Sequence, residues 1–393
     1  MLVSFLAGSS APTRLDSFFQ VQYGYPPTML SIVYGIYAAA AFLSLLIIGS
    51  LSDYIGRRPV LIAAALLQAT AMWVCSRVTG ALPEELIVAR IVQGIAIGGA
   101  LSALGAGMLD VDRAKGSIAS VIASMLGIAI AGLVDSLLQS LPNPVLLVYA
   151  VFGAIFVAQA IGVVLISEPL SVRAGALAWL RPSCRLAREL RRPRLLVTPA
   201  LAASSAMLGF YCWCGAPLLR YVELTKIERA SGGWIFYAPG SPSPSRWLAL
   251  GGLTLFAFGG GAAAALFLTR KRSDQTRLGM VLLLVGSGVT MLAIRILSSP
   301  LLFVACMIAG AGTGAGLQAA MRGALLLASP PQRAALLSVL YLVACVATAL
   351  LAGLASLQIF GRYSLFEYLS WVMALAVVTL VGALRRRARE LAA

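Results

Sequence analysis

Apolar positions along this chain come in long unbroken runs rather than in alternation or one-sided helical stripes. Runs of about twenty residues, each ended by charged or turn-forming residues, fall at roughly 1–20, 29–50, 59–79, 86–108, 116–140 and 145–167. Six more follow at roughly 195–216, 247–269, 278–297, 300–325, 334–357 and 365–384. About twenty apolar residues make one α-helical crossing of a bilayer, so the pattern predicts an all-α membrane protein with twelve transmembrane helices. The first run barely spans and no tail precedes it, which points to a start further upstream or to a trimmed chain. Residues 168–194 break the pattern with seven arginines and with Pro169, Pro182 and Pro193. The chain therefore reads as a six-helix bundle over 1–167, a charged connector over 168–194, a second bundle over 195–384 and a basic tail over 385–393. Residues 217–246 read as a long outer loop.

Composition closes off the soluble alternatives. Of 393 residues, 60% are hydrophobic and only 11% charged, against about 25% charged in a soluble domain. There is no histidine, and the six cysteines lack metal-ligand spacing, so neither a metal nor a cofactor is expected. No phosphate-cradling glycine loop with lysine is present, which argues against an ATP-driven pump in this chain. A basic leader is also missing, so Met1 onward reads as mature structure. An enzyme is not expected.

The net charge of +16 would fit a nucleic-acid partner only if the cations were clustered on one surface. They are instead distributed by side. Placing both termini in the cytoplasm puts 21 Lys and Arg residues in inner loops and six in outer ones, with Arg14, Arg90 and Arg295 inside spans. Basic residues favour cytoplasmic loops. The charge is thus a topology signal, and the expected location is a cell's inner membrane, with the lipid bilayer rather than nucleic acid as partner and the chain working as a monomer.

Three anchors recur at an offset of 220 residues: Arg57 with Arg277, Gly94 with Gly314, and Arg113-Ala114 with Arg333-Ala334. They predict two pseudo-symmetric six-helix halves. Parallel repeats of this kind place a substrate site between the halves near the bilayer midplane.

The turn after the second span reads Gly49-Ser50-Leu51-Ser52-Asp53-Tyr54-Ile55-Gly56-Arg57-Arg58-Pro59-Val60-Leu61. Gly49 permits two helices to approach closely, and Gly56 permits a tight turn with positive φ. Asp53 is an acid among cytoplasmic arginines and should be ionised and paired, with Arg57, Arg58 and Arg113 as candidates. The string resembles the loop 2–3 motif of the major facilitator superfamily, G-x-L-[SA]-D-x-x-G-R-[RK]-x-x-[LV], at every specified position. Arg90-Ile91-Val92-Gln93-Gly94, followed by Gly98 and Gly99, is similar to that superfamily's fourth-helix motif, R-x-x-Q-G. The run Gly8–Thr13 and the glycine-rich tenth span look most like bacterial drug- or metabolite-type members.

The resemblance implies secondary active transport of a small molecule by alternating access, coupled to protons, with efflux favoured over uptake. It also implies that Asp53 faces the start of the eleventh helix, where Ser329 before Pro330 and Pro331 suits a cap. A pair joining the halves there would hold the outward-open state and break when the inside opens. In proton-coupled members the residue matching Arg90 is linked to coupling; attraction of a substrate anion is a second role open to it, and a structural arginine that snorkels or neighbours Glu85 is the alternative. Asp16 is the midspan-type carboxylate for carrying a proton; the alternative is that Arg14 and Asp16 sit hydrated at the outer end of a short first helix. The second-half loop, Thr269–Arg277, lacks the glycines and the acid, so gating contacts are not expected there. The fifth span has Gly127 and Gly132 but lacks the Gly-Pro motif of drug–proton antiporters. A uniporter or anion exchanger, and a non-transporting sensor or relic, therefore stay open, as does the substrate.

Overall fold

The computed structural model describes residues 1–10, 24, 27–48, 55–77, 83–111, 113–138, 143–165, 197–230, 244–269, 274–325, 346 and 364–392. Its helices are α1 (Leu2–Ser10), α2 (Pro27–Ile47), α3 (Arg57–Ser76), α4 (Pro83–Val111), α5 (Arg113–Leu138), α6 (Pro144–Val164), α7 (Val197–Ala230), α8 (Pro244–Thr269), α9 (Gln275–Ile296), α10 (Ser299–Leu325) and α11 (Ser364–Ala392). Every described helix matches a predicted span. Apart from Val346, the predicted eleventh span, 334–357, lies outside the described residues, as do the connector 168–194 and the second half of the first span, so α11 corresponds to the twelfth span.

Proline marks the helix starts. Pro27, Pro83, Pro144 and Pro244 open their helices, while Pro59, Pro199 and Pro300 sit within the first turn. The missing N–H costs nothing there and the fixed φ is already helical. Leu297 closes α9 in the left-handed region at φ 55°. Ser298 N–H then donates to the Ala293 carbonyl, and α10 begins one residue later. That two-residue connection makes α9 and α10 a tight antiparallel pair.

Two helices run past the hydropathy boundaries. α7 continues to Ala230, into residues read as outer loop. Its last turns carry Arg220, Glu223, Lys226, Glu228 and Arg229, which end a hydropathy run yet are good helix formers. α11 likewise extends through Ala392, so the basic tail is a continuation of the last helix as far as that residue.

Among the described residues, six helices are long and apolar enough to cross a bilayer, and four more contain shorter apolar stretches. Lipid cannot drive such helices together by the hydrophobic effect, so close packing through small residues must do it. α10 shows this on two faces. A Cβ built at Gly310 would fall 1.9 Å from the Phe258 carbonyl oxygen of α8, and one at Gly314 2.7 Å from that of Ala262. On the other face, a Cβ at Gly312 would fall 2.5 Å from the Leu283 nitrogen of α9. The first half is organised around α4, which packs against α1, α2, α3 and α5.

The halves meet where α5 lies along α8, with α10 beside them. A Cβ at Gly132 would lie 2.4 Å from the Gly252 carbonyl oxygen, and one at Gly259 2.7 Å from the Ala129 nitrogen. Val121 and Met125 of α5 pack with Leu255 and Leu266 of α8 and Met321 of α10 along the same seam. Large apolar side chains such as Trp73, Leu268 and Trp371 face outward, as lipid contact requires.

Candidate functional site

The turn into α3 has the geometry its sequence predicts. Gly56 precedes the helix at φ 98°, ψ 156°, a region that is essentially glycine-only. Arg57 turns inward and is only 8% exposed. It packs over α4, where a Cβ at Gly107 would lie 3.3 Å from its Nη1. Arg58 donates through Nη2 to the Val164 carbonyl at the end of α6, one of the carbonyls a helix end leaves without an internal donor. The guanidinium also suits the negative end of the helix dipole. Two consecutive arginines thereby tie the start of α3 to α4 and α6.

Gly49, Asp53 and Ser329 lie outside the described residues. Arg113 is the first residue of α5, and its side chain is likewise not described. The expected ionic gate is therefore placed only at its Gly56, Arg57 and Arg58 corner.

Replacing Gly56 with alanine is expected to cost about 1–3 kcal/mol from backbone strain. Thermal unfolding of the purified protein in detergent would show this as a lowered midpoint. Asparagine should do no better, because ψ 156° lies outside the left-handed helical region that asparagine tolerates.

The second arrangement is built on α4. Arg90 is among the largest fully buried side chains, at 1% exposure. Its Nη1 donates to Gln93 Oε1 at 2.9 Å. Gln93 Nε2 in turn donates to the Gly8 carbonyl of α1 at 3.0 Å. The guanidinium carbon stands 5.9 Å from the ring centroid of Tyr37 on α2, within cation–π range.

Local sequence explains the convergence. A Cβ at Gly94 would meet the Tyr37 carbonyl oxygen at 2.6 Å, and one at Gly98 would meet Ser44 at 2.6 Å. The two glycines let α2 touch α4 along its backbone and bring the Tyr37 ring to Arg90. Ser44 Oγ adds a hydrogen bond to the Ile95 carbonyl at 2.8 Å. Gly8 is held against α6, where its Cβ would fall 2.8 Å from the Phe156 ring. Arg90 lies seven residues into α4, about 10 Å along the axis. Its side chain is buried among the helices at that depth. Asp16, the expected proton carrier, lies outside the described residues.

Packing in the second half matches the first at the predicted anchor. Gly314 seats α8 on α10 as Gly94 seats α2 on α4. The position equivalent to Arg90 at the same offset is Gly310, in backbone contact with Phe258. The duplication is thus kept in packing while the two halves differ in charge at this point. Gly127 and Gly132 of α5 also find distinct roles. A Cβ at the former would fall 2.6 Å from the Val3 carbonyl oxygen of α1, whereas the latter faces α8.

Sequence inspection at one offset missed a further repeat. Leu6-Ala7-Gly8-Ser9-Ser10-Ala11 and Leu201-Ala202-Ala203-Ser204-Ser205-Ala206 agree at five of six positions, but at an offset of 195. Unequal loop lengths hide it. It also missed Gln275, which is 3% exposed at the start of α9. Gln275 Nε2 donates to the Thr269 carbonyl of α8, and its Oε1 accepts from Arg322 Nη1 of α10 at 3.2 Å. The second-half turn is thus tied among three helices through the amide of Gln275, with Arg322 as the cation. Asp274 and Arg277, 3.6 Å apart and partly exposed, form a surface pair of little energetic weight.

The family model described as Major Facilitator Superfamily matches residues 1–243. Multidrug resistance protein MdtL of Shewanella sp. (strain ANA-3) is 34% identical over 93 residues, a stretch covering 22% of this chain and 23% of that protein. The chain thus matches less than a quarter of that relative's length. Among solved structures, the nucleoside transporter NupG superposes with a TM-score of 0.65 at 12% identity, covering 97% of this chain and 96% of that one. The human organic anion transporter MFSD10 (TETRAN) gives 0.64 at 16%, covering 97% and 96%. A bacterial homolog of the human lysosomal transporter Spinster, inward-facing and occupied, gives 0.65 at 17%, covering 97% and 92%. At these identities the structures speak for the fold, which is the two-half, twelve-helix arrangement expected from the sequence. With its loop motif, its paired halves and a family match over more than half its length, this multi-pass membrane protein belongs to the Major Facilitator Superfamily.

Proposed function

We propose that the chain is a secondary active transporter that exports a small molecule by alternating access between its halves, driven by protons. It would work as a monomer in a cell's inner membrane with both termini cytoplasmic. The observation that carries this reading is Arg90, a cation buried at the meeting of α1, α2 and α4 and oriented by Gln93. A charge inside a membrane bundle is costly and marks an ion or substrate path by default. Export is favoured because the relative from Shewanella is named for multidrug resistance. In this scheme Asp16 carries the proton and Arg90 responds to its charge.

Asp53 would close the cytoplasmic side by pairing among Arg57, Arg58 and Arg113 and facing the helix start at Ser329. Asp53→Asn is then expected to favour inward-open molecules and slow transport about tenfold, the effect of weakening one state by about 1.4 kcal/mol. Cysteine accessibility on the two faces would report the shift. Unchanged accessibility and unchanged transport would reduce Asp53 to a surface charge.

The test of the main reading uses purified protein in liposomes loaded with a pH-sensitive dye. A cationic drug, a nucleoside and an organic anion are applied in turn. The expected result is a compound-dependent pH change that disappears in Asp16→Asn. Counterflow of a compound without any pH change would support a second reading, an anion exchanger or uniporter, which a cation at the core of α4 also suits. No flux of any compound in either assay would favour a non-transporting role.

A further inference from the structure

α11 does not stop where its membrane-spanning stretch stops. The apolar part, Leu369–Leu384, runs without a break into residues 385–392 of the same helix. Those residues carry Arg385, Arg386, Arg387 and Arg389 against one acid, Glu390. At about 1.5 Å per residue, positions 385–389 occupy the first ~8 Å past the apolar stretch. The headgroup region on each side of a bilayer is about 5–8 Å thick. A helix that continued straight would therefore hold all four arginine positions at headgroup depth.

Two further observations identify the partner. Trp371, Val378, Val381 and Leu384 are all exposed, from 41% to 71%, and form the lipid-facing strip of α11. Helical spacing from 378 and 381 reaches 385, and one turn more reaches 389. The strip that meets acyl chains thus continues in register into arginine positions. In addition, 385, 386 and 387 are consecutive, so at about 100° per residue the four positions reach beyond the exposed strip, with 385 and 389 on it and 386 seven residues past the buried Thr379. A docking protein would need a one-sided stripe of cations, which these positions do not form, whereas headgroups reach every side of the helix that α7 and α9 leave open. α7 offers the contrast. It too overruns its span, but its overhang mixes Arg220, Lys226 and Arg229 with Glu223 and Glu228.

The geometry points to a lipid-binding collar: positions 385–389 of α11 bind the phosphate groups of anionic phospholipids and hold the end of the second half at the membrane surface. This binding is independent of what the chain transports. It is more than general attraction of basic loops to a negative membrane, because the arginine positions lie on an unbroken continuation of a membrane helix.

The test measures binding of fluorescent phosphatidylglycerol and phosphatidylcholine to the full purified chain in neutral detergent. Each basic residue near an anionic surface strengthens association about fivefold, so wild type should prefer phosphatidylglycerol by about tenfold or more. The variant R385Q/R386Q/R387Q/R389Q should fall to less than about threefold. The same four positions changed to lysine should keep the preference, since charge is what counts. Soluble glycerol phosphate should not displace the lipid, because it lacks the acyl chains that meet the strip. Equal preference in wild type and the glutamine variant would overturn the collar, and so would displacement by glycerol phosphate, which would mean a free-anion site. Should the glutamine variant fail to fold, wild type alone decides. Raising KCl from about 0.05 to about 0.5 M shortens the screening length severalfold and should weaken phosphatidylglycerol binding about fivefold; insensitivity to salt rejects the proposal.

Discussion

Arg90→Met is expected to leave a folded protein that transports at least about a hundredfold more slowly, a loss of about 2.7 kcal/mol in the working cycle. Methionine is shorter than arginine but unbranched and flexible, and fills irregular core space well. The change removes a charge from the membrane interior, and replacing buried charges by apolar groups of similar volume is often neutral or stabilising. Against that stands Gln93, whose Oε1 loses its donor at 2.9 Å, at a cost of about 1–3 kcal/mol for an acceptor left unsatisfied. The bond from Gln93 to the Gly8 carbonyl does not need Arg90 and should hold α4 to α1. The two terms nearly offset, so thermal unfolding should shift little while initial flux in liposomes collapses. Arg90→Lys separates charge from shape. Lysine keeps the positive charge but lacks the planar fork that meets Gln93, so it should recover part of the flux if charge drives the cycle. Flux within threefold of wild type in the methionine variant would make Arg90 a packing residue.

The largest effect on folding is expected at Gly310. A Cβ there would fall 1.9 Å from the Phe258 carbonyl oxygen and 2.7 Å from its carbonyl carbon. These are backbone atoms, so no rotamer can move them aside. Along the same seam a Cβ at Gly261 would fall 2.3 Å from the Met307 carbonyl oxygen, and Gly314 lies one turn from Gly310. Gly310→Val must therefore part α8 from α10 over several turns and lose contacts at all three glycines. Overpacking in cores that can yield already costs about 1–3 kcal/mol, and here no side chain can yield. A loss above that range approaches the whole margin of a typical protein, about 5–15 kcal/mol. Fluorescence-detected size exclusion should show no monodisperse protein. Gly288 on α9 is the control, with nothing within 4 Å of a built Cβ. Gly288→Ala should be neutral or stabilising by up to about 1 kcal/mol through helix propensity. A well-behaved Gly310→Val protein would mean that α8 and α10 are not in backbone contact.

The turn motif shows how far local sequence reaches. Gly56 was legible as a positive-φ candidate because glycine, having no Cβ, enters that region without steric cost. Arg57 and Arg58 were legible as cytoplasmic cations but not by partner. One lies over Gly107 of α4 and the other caps α6 at Val164; both partners are far away in sequence. The overrun of α7 was misread because hydropathy reports where lipid ends, and a helix need not end there. Gln275 was passed over because the loop was compared with the first-half motif, and a neutral amide gives no charge signal.

Sequence by itself determined the membrane class, the spans that the described helices match, the doubled plan and the family. The bilayer imposes a local test on each segment, about twenty apolar residues with the backbone bonded within the helix, and each run passes or fails it alone. Tertiary structure decided which face of each helix meets which neighbour. In a soluble helix the polar face shows where the core is not. In lipid both the buried and the outward faces are apolar, so Trp371 at 71% exposure and Leu369 at 0% are indistinguishable in kind. Only packing shows that Gly94 receives α2, that Gly310 receives α8 and that Arg90 points into the bundle, because each depends on an atom contributed by a distant part of the chain.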